Sequence, residues 1–474
     1  MLVVREFSVR LYLLLIGVVL LAALICVSRG HTSQEPLPSP APSRAAKPSK
    51  FEFQGAGSCA SMACHNADAL TGFRSREYKI ALERDFSTEI AHVKDKHAQA
   101  YAVLFNDRSQ RMIRNLQGLS ADKVVHPEHE DLCLRCHVHP EYARQPMWMR
   151  ADGVSCETCH GPAERWLATH FRPGWNDEAR KASGMRDTRS PAGRVRICVD
   201  CHIGGKDAEV NHDLIAAGHP RMNFEFSAFQ YELHKHWDYR KDKDPACDPR
   251  GRMDFEARSW ALGQVASAEA ALRLLAERAG DQRRPWTEFA EYNCYACHHD
   301  LQPKSWRQEN YAKGQAGKLT WNPWYYALLD EAVEALGPGD PNLVVQLRLI
   351  SAEMESPRPN RDKTAKLARQ AAALLEALLQ REQSQTAQLP VGALLKKALD
   401  SADLKSALSW DHAMPRYAAL AALARASQDL GRPSPKLREF ADSLRFPLGF
   451  DSPRDYDPAK IEQAIRNLKQ HLPR

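Results

Sequence analysis

The pattern of apolar and polar positions begins with an uncharged apolar run at residues 11–28, preceded by Arg5 and Arg10. Such a run is typical of a secretory signal or a membrane anchor. It is longer than the usual signal core and no small-x-small cleavage site closes it, which favours an uncleaved anchor over residues 1–28. The basic residues predict a cytoplasmic N-terminus. The remainder is then expected in the periplasm of a bacterium, tethered to the inner membrane, or secreted if the signal is cleaved.

Residues 29–50 are rich in proline, serine and alanine and predict a semi-rigid linker. Beyond the linker, strand-like alternation is rare and glycine and proline are frequent, so little regular sheet is expected. From residue 257 the apolar positions follow a helical period, and Gly280 predicts where that helix ends.

The C-terminal region, 306–474, contains no cysteine and shows apolar stripes at helical spacing. Helices are predicted from Asn322-Pro323 to Gly337, across the leucines of 367–379, across 417–430 and from Pro458 onward. These stripes predict a helical core rather than a cofactor site. The formal charge is +6, and no row of basic residues alternates with aromatic ones, so no nucleic-acid partner is expected.

The chemistry of the chain is indicated by a pentapeptide, Cys-x-x-Cys-His, that occurs four times. The two thiols can add to the vinyl groups of a porphyrin, and the adjacent imidazole can bind its iron, so the motif is typical of c-type haem attachment. The four copies are Cys133, Cys136 and His137; Cys156, Cys159 and His160; Cys198, Cys201 and His202; and Cys294, Cys297 and His298.

The alternative is that these cysteines bind a zinc ion. The spacing from Cys133 to Cys159 lies within the range of a zinc ribbon. A ribbon, however, needs no histidine after each cysteine pair, whereas histidine follows all four here. The pattern therefore favours haem over zinc.

A fifth haem motif is predicted at Cys59, Cys64 and His65, where the spacer has four residues instead of two. The alternative is a disulfide or a pair of free thiols. Five haems would use ten of the 12 cysteines. Cys26 and Cys247 remain, and we interpret them as free thiols.

A low-spin haem needs a second axial ligand, usually histidine or methionine. The chain has 19 histidines, and ten outside the motifs are candidates for five open positions. His97 is expected on a helix whose apolar face includes Tyr101, Leu104 and Phe105. The ten candidates are His92, His97, His126, His129, His139, His170, His212, His219, His234 and His236. The five selected as distal ligands are His97, His170, His212, His219 and His236.

The spacing of the motifs also bears on architecture. With about one haem per 50 residues between Cys59 and His298, the porphyrins must form much of the core and lie close to one another. The predicted fold is mainly α, a multihaem cytochrome c domain at 51–305 followed by the helical region at 306–474.

The order of Cys-x4-Cys-His, "HAQAYAVL", "CLRCH", "GVSCETCHGPAERW", "CVDCH" and "NHDLIAAGHPRMNFEF" resembles the multihaem cytochromes related to cytochrome c-554. That group is similar in haem packing to hydroxylamine oxidoreductase and pentahaem nitrite reductase. The resemblance implies stacked haem pairs, mostly bis-histidine ligation and electron transfer, with His97, His170, His212 and His219 as distal ligands. The Cys-x4-Cys-His start and the helical tail depart from the typical carrier.

Two functions are consistent with these features. The first is a membrane-tethered electron carrier that exchanges electrons with protein donors and acceptors. The second is a haem enzyme that acts on nitrite, NO or hydroxylamine at one five-coordinate iron. His126, His129 and Arg221 could supply protons in the enzyme.

Overall fold

Helices joined by short turns build the described part of the protein. The computed structural model describes residues 51–59, 65, 95–139, 141–205, 208–233, 235–298, 318–382, 387–400, 410–444 and 458–470. These residues contain no β-strand beyond two isolated bridges, Gly205–Ala208 and Tyr292–Trp321. The prediction of a mainly α fold with little sheet is therefore confirmed.

Among the described residues, no α-helix before residue 255 is longer than 12 residues, whereas three after it have 20 or more. They are α1 Asp107–Gln117, α2 Asp131–His137, α3 Cys156–His160, α4 Asp177–Ala182, α5 Pro191–His202, α6 His212–Ala217, α7 Phe226–Glu232, α8 Arg240–Lys243, α9 Phe255–Gly280, α10 Leu329–Leu336, α11 Pro341–Met354, α12 Arg361–Glu382, α13 Val391–Asp400, α14 Trp410–Asp429, α15 Arg438–Ser443 and α16 Pro458–Gln470. The 3₁₀ turns are Ala56–Cys59, Lys96–Gln99, Ala102–Phe105, Pro127–His129, Tyr142–Arg144, Met147–Asp152, Phe289–Glu291 and Cys294–Ala296.

Helix α9 is the centre of the core. It is buried on almost every side, and α12, α5, α10, α14 and α7 pack around it. Trp260, Leu272 and Leu275 are fully enclosed, and each such side chain contributes about 1.5–3 kcal/mol to stability. Burial of this helix is not confined to one apolar stripe, and only a few of its residues, such as Arg273 and Glu277, face water.

The same core connects α5, the helix that carries Cys198, Cys201 and His202, with the C-terminal helices. Its members run from Ala192 and Val195 on α5 to Leu468 on α16. The predicted boundary between residues 305 and 306 lies outside the described residues, as do residues 1–50, so the domain division stays a prediction. What the packing does establish is that α12 and α14 hold α9, and α9 in turn supports α5.

The C-terminal helices agree with the apolar stripes at α12, α14 and α16, where Ile461, Ile465 and Leu468 are buried as expected. The helix predicted to open at Asn322-Pro323 begins instead at Leu329. Residues 324–328, predicted to be helical, form turns instead. At their start the Asn322 side chain accepts the N–H of Trp324 (3.0 Å), a local bond that competes with the helix. Helices α11 and α13 were not predicted.

The predicted localisation is contradicted. Among the residues that the structure describes, no helix is long and apolar enough to cross a membrane. The longest, α9, carries Glu256, Arg258, Glu269 and Arg273 within a span that would have to cross the bilayer. The apolar run at 11–28, on which the anchor prediction rested, lies outside the described residues.

Candidate haem sites

Numbered in chain order with the Cys59 motif as the first, the second, third and fourth motifs lie on α-helices and the fifth lies on a single turn. Positions i, i+3 and i+4 of a helix share one side, so both thiols and the imidazole of a motif face the same way. The second motif of the chain ends α2, the third forms α3, and the fourth ends α5. At the last motif the His298 N–H donates to the Cys294 carbonyl (2.7 Å), which closes the turn.

The first motif is described in part. Cys59 is buried at the end of the 3₁₀ turn Ala56–Cys59, and His65 is also described, whereas Cys64 lies outside the described residues. The backbone before Cys59 is held by a buried carboxylate of another motif: Glu157 accepts N–H groups from Gln54 (2.9 Å), Gly55 (2.7 Å) and Ala163 (2.7 Å). This contact brings the first and third motifs together.

Each motif histidine faces a second histidine from a distant part of the chain. In every pair one ring belongs to a motif and the other is one of the five histidines selected as distal ligands. The pairs and their ring-centroid separations are His65–His170 (6.0 Å), His202–His97 (6.0 Å), His137–His219 (6.4 Å), His160–His236 (6.3 Å) and His298–His212 (6.4 Å).

These separations fit one metal ion between each pair of rings. Two metal–nitrogen bonds of about 2 Å, as in zinc–imidazole sites, together with the two ring radii, place opposed imidazole centroids about 6 Å apart. Aromatic packing alone covers a similar distance range. Aromatic packing does not explain, however, why each of the five pairs joins a motif histidine to a histidine outside the motifs. The donor set and its spacing therefore fit haem iron.

The Nδ1 atoms of several of these rings have acceptors of their own. Nδ1 lies 2.6 Å from the Ala100 carbonyl in His137, 2.9 Å from the Trp166 carbonyl in His170 and 2.8 Å from the Pro220 carbonyl in His219. A carbonyl oxygen only accepts, so Nδ1 carries the proton and Nε2 keeps its lone pair. This second hydrogen bond is the usual partner of a metal-binding histidine.

Burial keeps the imidazoles neutral. It lowers the pKa of His160 to about 3 and that of His202 to about 4, with nearby histidines adding to the effect. Burial also lowers the pKa of His137 and of His219. A neutral imidazole is the form that binds a metal ion, so these four rings are in the correct state at neutral pH.

The thiols are close to thiols of other motifs. Cys59 is hydrogen-bonded to Cys156, and Cys136 to Cys201. Burial raises the pKa of Cys133 to about 12, of Cys159 to about 11 and of Cys198 to about 12. Without a bound ion, these three thiols are therefore protonated near neutral pH.

The remaining histidine candidates lie elsewhere. His139 is buried beside Phe53, with ring centroids 5.2 Å apart, and His126 and His129 are exposed on a turn. His92 and His234 lie outside the described residues. Arg221, suggested above as a proton donor, forms a partly buried ion pair with Asp411 (3.0 Å).

Two residues near the sites, Glu157 and Asp95, were not predicted from the sequence. Glu157 is one of the two variable residues inside a Cys-x-x-Cys-His motif, a position without a sequence signal. Asp95 accepts the Nδ1–H of His97 (2.9 Å) and also caps the 3₁₀ turn Lys96–Gln99. An Asp two residues before a candidate ligand is the signal that could have identified it.

Comparison with known proteins gives one match. The family described as Cytochrome c554 and c-prime matches residues 86–161, a range that contains His97 and the second and third motifs. No curated protein and no solved structure matches the chain. The likeness to hydroxylamine oxidoreductase and nitrite reductase stays a prediction. Residues 86–161 of this chain are thus similar to the cytochrome c554 family, and this likeness agrees with the Cys-x-x-Cys-His motifs typical of c-type haem.

Proposed function

We propose that this protein transfers electrons through five c-type haems, each bound by two cysteines and two histidines. The observation that supports this most directly is the set of five imidazole pairs, all separated by 6.0–6.4 Å. Bound haem supplies a one-electron Fe(III)/Fe(II) couple. The histidines of the chain would hold the iron, and the residues packed around it would exclude water and tune its potential.

The proposal assigns the ligands by motif. The cysteines that would form thioether bonds are Cys59, Cys64, Cys133, Cys136, Cys156, Cys159, Cys198, Cys201, Cys294 and Cys297. The proximal histidines would be His65, His137, His160, His202 and His298, and their distal partners in the same order would be His170, His219, His236, His97 and His212.

Contacts between motifs support a relay. A cysteine thioether lies at the edge of its porphyrin, so motifs with touching thiols would hold neighbouring porphyrin edges. The thiol contacts Cys59–Cys156 and Cys136–Cys201 connect the first motif to the third and the second to the fourth. Cys159 lies near enough to Cys198 to contribute to its raised pKa, which would place the third motif beside the fourth. This proximity and the two thiol contacts favour the order first, third, fourth, second.

Helix α6 extends that order to the fifth motif. His212 begins α6 and pairs with His298, and His219 follows its C-terminal end and pairs with His137. One short helix thus spans the distal positions of the fifth and second motifs. Donor and acceptor proteins would then dock near the two ends of this series.

An electron carrier is favoured over an enzyme by the completeness of the pairing. An enzyme acting on nitrite, NO or hydroxylamine needs one iron with an open distal face. All five motif histidines are among the described residues, and each faces a second imidazole. The second candidate, a haem enzyme, therefore lacks a specific supporting feature.

The test combines a haem count with spectroscopy. Pyridine haemochrome analysis and intact mass of the purified protein should give five haems, and Cys59→Ala should weaken or remove one. Cys247→Ala is the matched control, because this exposed thiol belongs to no motif, and it should keep five. The oxidised protein should give a low-spin EPR spectrum that does not respond to nitrite or NO. A high-spin signal that shifts on their addition would favour the enzyme instead.

A further inference from the structure

A surface turn before the second motif gathers three metal-binding side chains outside the proposed haem ligands. His126, Glu128 and His129 offer ligand atoms that all lie within 4.8 Å of one another. Oε1 of Glu128 lies 3.0 Å from Nδ1 of His126 and 3.7 Å from Nε2 of His129. One carboxylate oxygen therefore stands between two imidazole nitrogens.

The backbone fixes this arrangement. Pro127 and His129 bound a 3₁₀ turn in which the His129 N–H donates to the His126 carbonyl (3.0 Å) and the Glu130 N–H to the Pro127 carbonyl (3.1 Å). Pro127 is buried, which anchors the turn to the protein. The three ligands are thus held close before any ion binds, so little backbone entropy is lost on binding.

The side chains differ in exposure in a way that suits metal capture. His126 and His129 are 63% and 59% exposed, whereas Glu128 is only 13% exposed. The site therefore presents one carboxylate oxygen held in place by partial burial and two imidazoles that an ion can reach from solvent.

We propose that His126, Glu128 and His129 bind one divalent transition-metal ion of the zinc class, separate from the haem irons. Two imidazoles and one carboxylate suit Zn²⁺ and its neighbours, whereas Mg²⁺ and Ca²⁺ prefer sites made of oxygen atoms. Ligand atoms of a tetrahedral zinc site lie about 3.3 Å apart, close to the two distances to Glu128. Three protein ligands would leave the fourth position to water.

The competing interpretation is that Glu128 only pairs with protonated histidines at the surface. The two differ in what they predict at neutral pH. An ion pair needs protonated imidazoles and gives no saturable metal binding, whereas a metal site needs neutral imidazoles and releases protons when the ion binds.

The test is equilibrium dialysis of the full-length, haem-loaded protein against Zn²⁺, with zinc and iron measured in the same sample. The wild type should bind one zinc at this site, and His126→Ala and His129→Ala should each raise the dissociation constant of that zinc at least tenfold. Both positions are exposed, and an unchanged Soret band and haem count would verify folding. A hundredfold excess of Mg²⁺ should not displace the ion.

The matched control is Asp122→Asn, an exposed carboxylate on the preceding loop that also lines the hollow beside His126 and Glu128. It should leave zinc affinity unchanged. The proposal is overturned by absence of saturable zinc binding, by equal affinity in the wild type and the histidine variants, by displacement with Mg²⁺, or by an equal loss in Asp122→Asn. Each result is independent of the haem count, so it separates this site from the proposed electron transfer.

Discussion

The Nδ1 atom of His97 lies 2.9 Å from Oδ1 of Asp95, so this candidate ligand donates to a carboxylate. At His137, His170 and His219 the corresponding acceptor is a backbone carbonyl. An anionic acceptor makes the imidazole more basic and a better donor to Fe(III) than a neutral acceptor does. If His97 and His202 hold one iron, that haem should have a lowered reduction potential relative to the haems with carbonyl acceptors.

Replacing Asp95 by Asn should raise the midpoint potential of one haem. Asn keeps the oxygen that caps the turn at Lys96–Gln99 and removes only the negative charge. If the substitution weakens binding of Fe(III) relative to Fe(II) tenfold, the midpoint potential of that haem should rise by about 60 mV. Potentiometric titration followed in the Soret region would measure it, with Asp122→Asn as the charge control. An unchanged set of potentials would contradict the role assigned to Asp95.

The angles between the paired rings predict two classes of EPR signal. Three pairs are close to perpendicular, at 82° for His97–His202, 88° for His137–His219 and 76° for His160–His236. The other two are closer to parallel, at 9° for His65–His170 and 31° for His212–His298. Imidazole π-donation splits the iron d orbitals most when the planes align.

Three haems should therefore give strongly anisotropic low-spin signals and two should give ordinary rhombic ones. The substitution His170→Ala should remove one rhombic signal and create one high-spin haem, and His219→Ala should do the same to an anisotropic signal. Spin quantification of the oxidised protein would measure both. Loss of an anisotropic signal in His170→Ala, or of a rhombic signal in His219→Ala, would contradict the assigned histidine pairs.

The sequence identifies the histidines of the candidate sites but not how they pair. His97, His170, His212, His219 and His236 are recognisable from the excess of histidine and from local context. Which motif each one faces depends on packing between segments far apart in the chain, for example between α6 and the turn after Cys294, and no local pattern encodes it.

The apolar pattern also predicted a helix wrongly where capping side chains compete with helical hydrogen bonds. The segment from His97 to Phe105 has helical spacing, yet it folds into two 3₁₀ turns with Asp95 and Asn106 at its ends. Leu104 is buried, whereas Phe105 is 52% exposed. Asp and Asn bond to nearby backbone N–H groups and so break the regular helix that the apolar positions predict.

Removal of the Glu157 side chain should release the segment that carries Cys59. Its carboxylate accepts three backbone N–H groups in a buried position, and leaving them without a partner should cost about 3 kcal/mol or more. Glu157→Ala should therefore lower the free energy of unfolding in urea by this amount and reduce incorporation of the first haem. Glu164→Ala is the matched control, because Glu164 accepts an exposed N–H, that of Glu52 (2.9 Å), and its removal should cost less than about 1 kcal/mol. Equal effects in both variants would contradict the role of Glu157.

Acid should destabilise the protein partly through His412, a residue of α14 outside every proposed site. Burial lowers the pKa of His412 to about 4, below its unfolded value of about 6.5. The unfolded chain therefore binds this proton first, and the contribution of His412 to stability is full above pH 6.5 and is lost as the pH falls toward 4. The loss should reach about 1–2 kcal/mol at pH 5. Urea unfolding of the wild type and of His412→Gln at pH 7.5 and pH 5 would measure it, with the variant losing less stability between the two pH values. Equal losses would show that His412 is accessible to protons in the folded state.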